Sequence, residues 1–342
     1  MVRVHDGTPG GFSVIVLTFS DFGGPEVLRV EERPTPTPGP GQVRIRVAAA
    51  GVNRADVLQR QGHYPPPEGV PTWPGLEVSG VIDAVGSGVE NLAEGDAVCA
   101  LLAGGGYAQW CIADAGLVLP IPAGLGFVEA AGLVEASCTV WSNLRFAGAR
   151  PGDSVLIHGG SGGIGSLGIQ IAKAASLHVL ATARGPERAA ECARLGADVA
   201  IDYIEDEFEE IAAAEGGVDI ILDILGAVYL ARNIEALAPG GRLVVLGLQG
   251  GAHAEIDLGV LTRKRASIAG TTLRSRPLEQ KEAIVADVMV SVWPWVPGTV
   301  APVIGATFPL EDAASAHAAL ESGDVFGKIV LTVGTTLERA RR

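Results

Sequence analysis

Hydrophobic residues in the first third of the chain form short β-branched runs that are interrupted by clusters of proline and glycine. Such runs, bounded by turn-forming residues, are typical of the strands of a small β-rich unit. The predicted strands are Val14–Leu17, Val43–Ala48, Val78–Val85 and Ala97–Leu101, and the turn clusters lie at 34–41, 65–75 and 86–88. The pattern therefore predicts a β lobe at the start of the chain.

From about Ala130 the pattern changes to strand-like runs that alternate with segments of helical periodicity. This alternation is typical of a parallel sheet with helices on both faces. The predicted strands are Val155–Ile157, His178–Ala183, Ile220–Asp223 and Leu243–Leu246. After about residue 275 the composition becomes mixed again, and the run Lys328–Val333 is predicted as a strand that could return to the β lobe.

The segment Ser154–Ala172, SVLIHGGSGGIGSLGIQIA, joins a strand, a glycine turn and a helix without a break. Gly160 is expected at the tight turn, Gly162 lets the backbone approach a pyrophosphate, and Gly165 lets the helix pack closely on the strand. The unpaired N–H groups of the helix would then point at the phosphates. The P-loop interpretation fails because no Gly-Lys-Ser/Thr closes the turn. The segment therefore predicts a dinucleotide-binding fold.

The end of the second strand in this unit bears on the choice of dinucleotide. NAD enzymes usually place Asp or Glu here to bind the ribose 2′-hydroxyl, whereas this chain has Arg184, followed by Arg188. Planar guanidinium groups suit a 2′-phosphate, so NADPH is favoured, and NADH at lower affinity stays open. Glu187 weakens the electrostatic argument, and the alternative is two ordinary arginines on a solvated helix start.

Composition and charge limit the remaining possibilities. A chain of 342 residues exceeds the size at which a single core stops growing, so two domains are expected. The net charge of −14 argues against nonspecific nucleic-acid binding and against anchoring to an anionic membrane. No apolar run approaches the roughly 18 residues that span a bilayer, and residues 1–19 lack a signal-cleavage pattern, so cytoplasmic localisation is expected. The four cysteines form no C-x-x-C pair, which argues against a zinc knot or a disulfide framework.

Five segments carry a resemblance to a known family. They are AGVNRADVLQRQGHYPPPEGV at 50–70, PGLEVSGVIDAVGSGV at 74–89, GDAVCALLAGGGYAQW at 95–110, HGGSGGIG at 158–165 and GKIVLTV at 327–333. Together they resemble the medium-chain dehydrogenase/reductase superfamily, and within it the zinc-independent quinone oxidoreductase group, closest to the p53-inducible quinone oxidoreductase branch. The resemblance implies an α/β fold: a GroES-like β lobe (1–130 and 275–342), a Rossmann doubly wound parallel sheet (131–274), and an active cleft between them.

Two departures from the zinc-dependent relatives concern the metal. Where those relatives have a cysteine after Gly-x, this chain has Asn53, and where they have Gly-His-Glu it has Gly75-Leu76-Glu77. With both ligands lost, these positions cannot hold a catalytic zinc, and no metal site is expected.

The resemblance also implies the residues of the site. Asn53 and Tyr64 are expected to be catalytic, because an amide and a neutral phenol can each donate a hydrogen bond to a developing oxyanion. The alternatives are an asparagine bonded to its own backbone and a tyrosine packed under Pro65–Pro67. The residues expected to bind the cofactor are Gly160, Ser161, Gly162, Gly163, Ile164, Gly165, Thr139, Arg184, Arg188, Tyr203, Gly247, Leu248, Phe326 and Lys328.

Several of these positions have a more specific implied role. Tyr203 is expected to flank the 2′-phosphate beside Arg188. Thr139 is expected near the pyrophosphate and nicotinamide, although Val134 stands where the family often has proline. The segments Gly247–Gly251, which includes Leu248, and Phe326–Lys328 should line the nicotinamide pocket, mostly through backbone groups.

The implied activity is metal-free hydride transfer from NADPH to a quinone, which needs proximity and hydrogen-bond donors near the oxygen that gains charge. α,β-Unsaturated carbonyls are the alternative acceptors. The alternative from another class is a nucleotide-binding protein with little turnover, because some relatives are lens proteins or bind RNA. Relatives are commonly dimers through the Rossmann sheet edge, so a homodimer that uses Leu243–Leu248 is expected.

Overall fold

The computed structural model describes residues 13–334; residues 335–342 and residues 1–12, which include most of the segment considered as a signal, lie outside the described residues. Most strands of the first part belong to one antiparallel sheet, and β1 and β2 form a separate ribbon. The elements of this part are β1 (Ser13–Thr18), β2 (Arg29–Pro34), β3 (Gln42–Val52), α1 (Arg54–Arg60), β4 (Glu77–Val85), β5 (Ala97–Leu101), β6 (Trp110–Asp114), β7 (Val118–Pro120) and α2 (Phe127–Ala130). Among residues 13–334, no helix has the length and apolar character needed to cross a bilayer.

The long strand β3 organises the β lobe. Its alternate residues Val43, Ile45 and Val47 are buried in one core, as the two-residue period of a strand requires. β3 pairs antiparallel with β4 along most of its length and with β6 at its beginning. The predicted β lobe is therefore present.

The middle of the chain forms a six-stranded parallel sheet in the order β10-β9-β8-β11-β12-β13. Its elements are α3 (Val134–Phe146), β8 (Ser154–Ile157), α4 (Gly163–Ala174), β9 (His178–Ala183), α5 (Pro186–Arg194), β10 (Val199–Asp202), α6 (Phe208–Ala214), β11 (Val218–Asp223), α7 (Leu230–Ala236), β12 (Leu237–Val245), α8 (Leu258–Lys264) and β13 (Ser267–Gly270). The strand order reverses between β8 and β11, and ligands bind at the carboxyl ends of strands at such a point. The predicted Rossmann fold is confirmed.

The last part of the chain returns to the first lobe. It contains α9 (Leu278–Ser291), β14 (Ile304–Pro309), α10 (Ala313–Ser322) and β15 (Lys328–Thr332). β15 pairs parallel with β14 and antiparallel with β3. In contrast, α9 buries Val285 and Val288 in the core that also contains Val155 of the parallel sheet. This segment contributes to both cores, and the predicted boundaries at 130/131 and 274/275 stay predictions.

The predicted location of a dimer edge is wrong. Leu243 in β12 pairs with Ile221 in β11 on one side and with Ile268 in β13 on the other. Because β13 adds a further parallel strand, the segment Leu243–Leu248 does not lie at an open edge of the sheet. The outer strands of this sheet, within the described part of the chain, are β10 and β13. A homodimer stays a prediction.

Candidate active site

The turn after β8 begins the cleft at the carboxyl end of the parallel sheet. Gly159, one residue before the predicted Gly160, takes the left-handed conformation with φ +70° that favours glycine. The Gly160 N–H donates to the Thr182 carbonyl at 2.8 Å, and a Cβ at Gly160 would lie 2.8 Å from Cys192 Sγ. The Gly162 N–H donates to the Gly159 carbonyl at 3.0 Å and closes the turn.

Gly162 and Gly165 keep different spaces open. Gly162 is the N-cap of α4, and a Cβ placed on it would meet only the Gly159 carbonyl oxygen, at 3.5 Å. A Cβ on Gly165 would lie 2.1 Å from that oxygen and 2.6 Å from Gly160 Cα. Gly165 therefore allows α4 to pack on the turn, whereas Gly162 leaves room in front of the helix. The first N–H groups of α4, which have no partner within the helix, face this room.

A cavity of about 370 Å³ extends from this turn between the parallel sheet and the β lobe. The two lobes meet beside it, because the Gly327 N–H donates to the Ser161 carbonyl at 2.8 Å. The predicted residues that line the cavity are Asn53, Ser161, Gly162, Gly163, Ile164, Gly165, Arg184, Arg188, Tyr203 and Lys328. The structure thus brings together residues from both lobes that the sequence places far apart.

Other predicted residues lie outside the lining of this cavity. They are Gly160, Thr139, Gly247, Leu248, Phe326 and Tyr64. Gln249 and Gly327, from the two segments predicted to line the nicotinamide pocket, do reach the cavity, as does the neighbouring Val325. Arg54, His158 and Tyr229, which were not predicted as site residues, also line the cavity. Burial lowers the pKa of His158 to about 4, so this imidazole is neutral at pH 7.

Arg184 and Arg188 stand at the α5 end of the cavity and reach across to the loop between α10 and β15. Arg184 Nη2 lies 3.0 Å from Asp324 Oδ1 and donates to the Gly323 carbonyl at 3.3 Å. Arg188 donates to the Gly323 and Asp324 carbonyls at 2.7 and 2.8 Å. Tyr203 lines the same end. Two guanidinium groups and a phenol therefore surround a place that a phosphate could occupy.

Asn53, Glu77 and Lys328 form a buried cluster at the other end. Lys328 Nζ lies 2.5 Å from both Asn53 Oδ1 and Glu77 Oε1, and Asn53 Nδ2 donates to Glu77 Oε1 at 3.0 Å. Burial lowers the pKa of Lys328, but the negative charge of Glu77, joined by that of Glu135 when Glu135 is ionised, outweighs burial and raises it, so the amine is a cation. Lys328 was predicted to act mostly through its backbone, but its side chain is what joins the cluster.

The start of α1 fixes the position of Asn53. Its N–H donates to Asp56 Oδ2 at 2.9 Å, and the Gly75 N–H donates to Asp56 Oδ1 at 2.8 Å. The Tyr107 hydroxyl donates to Asp56 Oδ2 at 3.3 Å. The link between Asn53 Nδ2 and its local backbone, the Gly51 carbonyl, is longer, at 3.5 Å. Asn53 is therefore held by a capping carboxylate while its amide faces Glu77 and Lys328.

Tyr64 lies beside Arg274, which was not predicted as a site residue. The Arg274 guanidinium carbon is 5.3 Å from the centroid of the Tyr64 ring, and Nη1 donates to the Tyr64 carbonyl at 3.2 Å. Arg274 also donates to the Ala103 carbonyl at 2.6 Å and to Gln59 Oε1 at 2.7 Å. Burial raises the pKa of the Tyr64 phenol, which stays neutral at pH 7. Tyr64 is thus a half-buried phenol on a loop that Arg274 secures.

Glu135, near the start of α3, is a further residue that the sequence patterns did not predict. Its Oε1 accepts a hydrogen bond from Thr139 Oγ1 at 3.0 Å, and its N–H donates to Glu77 Oε2 at 3.1 Å. Its Oε2 is buried and has no hydrogen-bond partner. Thr139, predicted to lie near the cofactor, therefore holds this carboxyl group.

Comparisons with known proteins identify the family. An alcohol dehydrogenase GroES-like domain matches residues 39–123, and a zinc-binding dehydrogenase domain matches residues 163–288. The quinone oxidoreductase of Lama guanicoe is 36% identical over 319 residues, which cover 91% of this chain and 95% of that protein. This chain belongs to the quinone oxidoreductase group of the medium-chain dehydrogenases/reductases. The predicted family is confirmed, and the chain is an oxidoreductase.

Solved structures agree with this oxidoreductase fold. The quinone oxidoreductase of Thermus thermophilus, solved also in complex with NADPH, has a TM-score of 0.81 and 34% identity, covering 94% of this chain and 100% of that one. An NAD-dependent alcohol dehydrogenase has a TM-score of 0.82 and 32% identity, with the same coverage. The two relatives use different dinucleotides by name, so the likeness leaves the choice between NADPH and NADH open.

At the two positions where zinc-dependent relatives have metal ligands, this chain has Asn53 and Leu76. Asn53 Oδ1 accepts from Lys328, and Leu76 offers no ligand atom. Within residues 13–334, no three His, Cys, Asp or Glu side chains form a group that could hold a metal ion. The set of donors at this site is an amide, a carboxylate and an ammonium rather than a set of zinc ligands.

Proposed function

We propose that this oxidoreductase transfers a hydride from NADPH to a quinone without a metal. One observation carries the proposal: a single cavity joins a glycine turn and two arginines at one end to the Asn53–Lys328 cluster at the other. The likeness to the NADPH-bound quinone oxidoreductase of Thermus thermophilus supports both the cofactor and the acceptor.

The residues present fit a phosphorylated dinucleotide. The open side of Gly162 and the first N–H groups of α4 suit a pyrophosphate. Arg54 lines the cavity, and its Nε is buried without a hydrogen-bond partner, so an anion would satisfy it. Arg184 and Arg188 can turn from the α10–β15 loop toward a 2′-phosphate, since both are on the cavity wall.

The chain contributes charge and position to the reaction. The bound reduced nicotinamide supplies the hydride. The acceptor oxygen gains negative charge as its C=O π bond breaks, and the Lys328 ammonium and the second Asn53 N–H are buried donors that can stabilise it. Tyr64 lies outside the lining of this cavity, and its role as a third donor stays a prediction. Lys328 and Asn53 need no reorganisation, because Glu77 and Asp56 already hold them.

Lys328 also supports the metal-free character of the proposed reaction. Its cationic Nζ contacts the Asn53 amide that replaces a metal ligand, so positive charge is provided there by the chain itself. A quinone is already electrophilic and does not require the stronger polarisation that a zinc ion supplies.

The proposal is tested by NADPH oxidation at 340 nm with 1,2-naphthoquinone, 1,4-benzoquinone and a simple enone, in the presence of a chelator and with NADH in parallel. Quinone-dependent, chelator-resistant oxidation that prefers NADPH is the expected result. Turnover of the enone but of neither quinone would identify α,β-unsaturated carbonyls, rather than quinones, as the acceptors. Loss of activity in chelator would overturn the metal-free mechanism. Tight NADPH binding without turnover would favour a nucleotide-binding role.

A further inference from the structure

Glu135 is an acidic group with one unused oxygen beside the cluster that contains Asn53 and Lys328. Thr139 Oγ1 occupies Oε1 at 3.0 Å, whereas Oε2 is buried without a hydrogen-bond partner. The Glu135 N–H is bonded to Glu77, whose other oxygen contacts Lys328. An unsatisfied buried oxygen costs about 1–3 kcal/mol, so its retention in an ordered cluster points to a partner that binds during function.

A small cavity lies against Glu135. Its volume is about 10 Å³, and Leu76, Leu273, Arg274 and Lys281 are among its lining residues. This volume is close to what one water molecule requires. One of these lining residues, Lys281 on α9, is partly exposed to solvent. A water molecule in this cavity would be able to exchange a proton with Glu135.

Titratable or charged groups surround Glu135 from several elements. They are Lys328 on β15, Glu77 on β4, Asp56 on α1, Cys138 on α3, Tyr64 on its loop, Arg274 after β13 and Lys281 on α9. The cation of Lys328 is held by Glu77, and the oxygens of Asp56 are engaged by two backbone N–H groups and a hydroxyl. Among these three acids, Glu135 is the one with a carboxyl oxygen, Oε2, that has no hydrogen-bond partner and could therefore bind the quinone.

We propose that Glu135 donates the proton that accompanies hydride transfer. The inference rests on the proposed quinone reduction, which consumes one hydride and one proton for each hydroquinone formed. The hydride forms an O–H bond with one quinone oxygen, and its electron pair moves through the ring to the other oxygen. The Oε2–H bond of Glu135 breaks and an O–H bond forms on that second oxygen. The electron pair of the broken bond stays on Glu135 as a carboxylate, which then regains a proton from solvent.

The electrostatics of the site suit this role. Burial raises the pKa of Glu135 to about 7, against the lowering effects of the Lys328 cation and the Thr139 hydroxyl. A group of this pKa is partly protonated at neutral pH and can both give and regain a proton. The active form is the acid, so turnover should fall as pH rises through about 7.

The test compares wild type with Glu135→Gln. For quinone reduction, kcat of the variant should fall about 100-fold, as removal of a general acid typically requires, and the decrease above pH 7 should disappear. Infrared difference spectroscopy on protein without cofactor should show the carbonyl band of a protonated acid that titrates near pH 7 in wild type. This titrating band should be absent from Glu135→Gln. NADPH affinity, measured by fluorescence, should stay within about twofold.

Two further variants separate a catalytic role from a structural one. Thr139→Val removes the hydroxyl that favours the carboxylate, so the pH at which kcat falls should rise by about one unit. Glu129→Gln is the matched control, because that carboxylate only accepts from the exposed Gly126 N–H. If wild type reduces quinone and Glu135→Gln does so at the same rate and with the same pH profile, the role of Glu135 is overturned while the proposed function stands. No quinone turnover by wild type would overturn the proposed function, and the role of Glu135 with it.

Discussion

Replacing Gly165 by alanine tests the packing of the cofactor turn, and replacing Gly162 by alanine is the matched comparison. In Gly165→Ala the new Cβ would lie 2.1 Å from the Gly159 carbonyl oxygen, and backbone must move by about 0.9 Å to reach the 3.0 Å that real contacts keep. In Gly162→Ala the same oxygen lies at 3.5 Å, an ordinary contact. The two substitutions add the same methyl group in different surroundings.

The structure sets the expected magnitudes. Overpacking costs about 1–3 kcal/mol, and the upper end applies to Gly165 because the obstructing atoms belong to the backbone. The better helix propensity of alanine offsets about 1 kcal/mol of this cost, so the free energy of unfolding of Gly165→Ala should fall by about 2 kcal/mol. At about 2–4 °C per kcal/mol, the Tm of Gly165→Ala should fall by about 4–8 °C. Gly162→Ala should change the free energy of unfolding by less than about 0.5 kcal/mol.

Cofactor affinity should show a different order of effects. The methyl group of Gly162→Ala enters the room in front of α4, so the Kd for NADPH should rise at least about tenfold. Differential scanning fluorimetry without cofactor gives Tm, and quenching of tryptophan fluorescence gives Kd. Equal Tm losses in both variants would refute the packing argument for Gly165. Wild-type affinity in Gly162→Ala would refute the location of the pyrophosphate.

Three further predictions concern the two ends of the cavity. The double variant Arg184→Ala/Arg188→Ala should bind NADPH about a hundredfold more weakly while NADH binding hardly changes; equal losses in titration calorimetry would contradict the 2′-phosphate site. Asp324→Asn should strengthen NADPH binding about two- to fivefold and leave NADH unchanged, because this exposed carboxylate competes for Arg184; the same calorimetry would contradict the competition if both affinities stay constant. Lys328→Met should lower the free energy of unfolding by about 3–5 kcal/mol, because Glu77 is left buried without its cation. Adding Glu77→Gln should restore much of that stability but not quinone turnover, and denaturant unfolding that shows no recovery would argue against the charge pair.

Local patterns in the sequence predicted the elements of this protein well. The strands at His178–Ala183 and Ala97–Leu101 begin and end where the apolar runs do, because a buried strand needs a continuous run and a turn needs glycine or proline. The glycine segment predicted the cofactor turn for the same reason, since its spacing is a local property. The family motifs then placed Asn53 and Lys328 near one cleft.

Interactions between distant segments were beyond such patterns. The composition of Leu243–Leu248 suits an edge strand and an interior strand equally well. Only the pairing of β12 with β13 makes it an interior strand. Arg274 secures Tyr64 from a position 210 residues later, and Asp324 meets Arg184 across 140 residues. Neither residue stands in a recognisable motif.

The sequence by itself therefore determined the two-lobed fold, the dinucleotide turn and the replacement of the zinc ligands, because each depends on residues that are neighbours along the chain. Tertiary structure alone decided that Lys328 points its ammonium at Asn53, and that Glu135 keeps an unpaired oxygen beside them. The physical reason is that charge and desolvation act through space. A side chain acquires its partner, its burial and its pKa only when β15, α1 and α3 have come together.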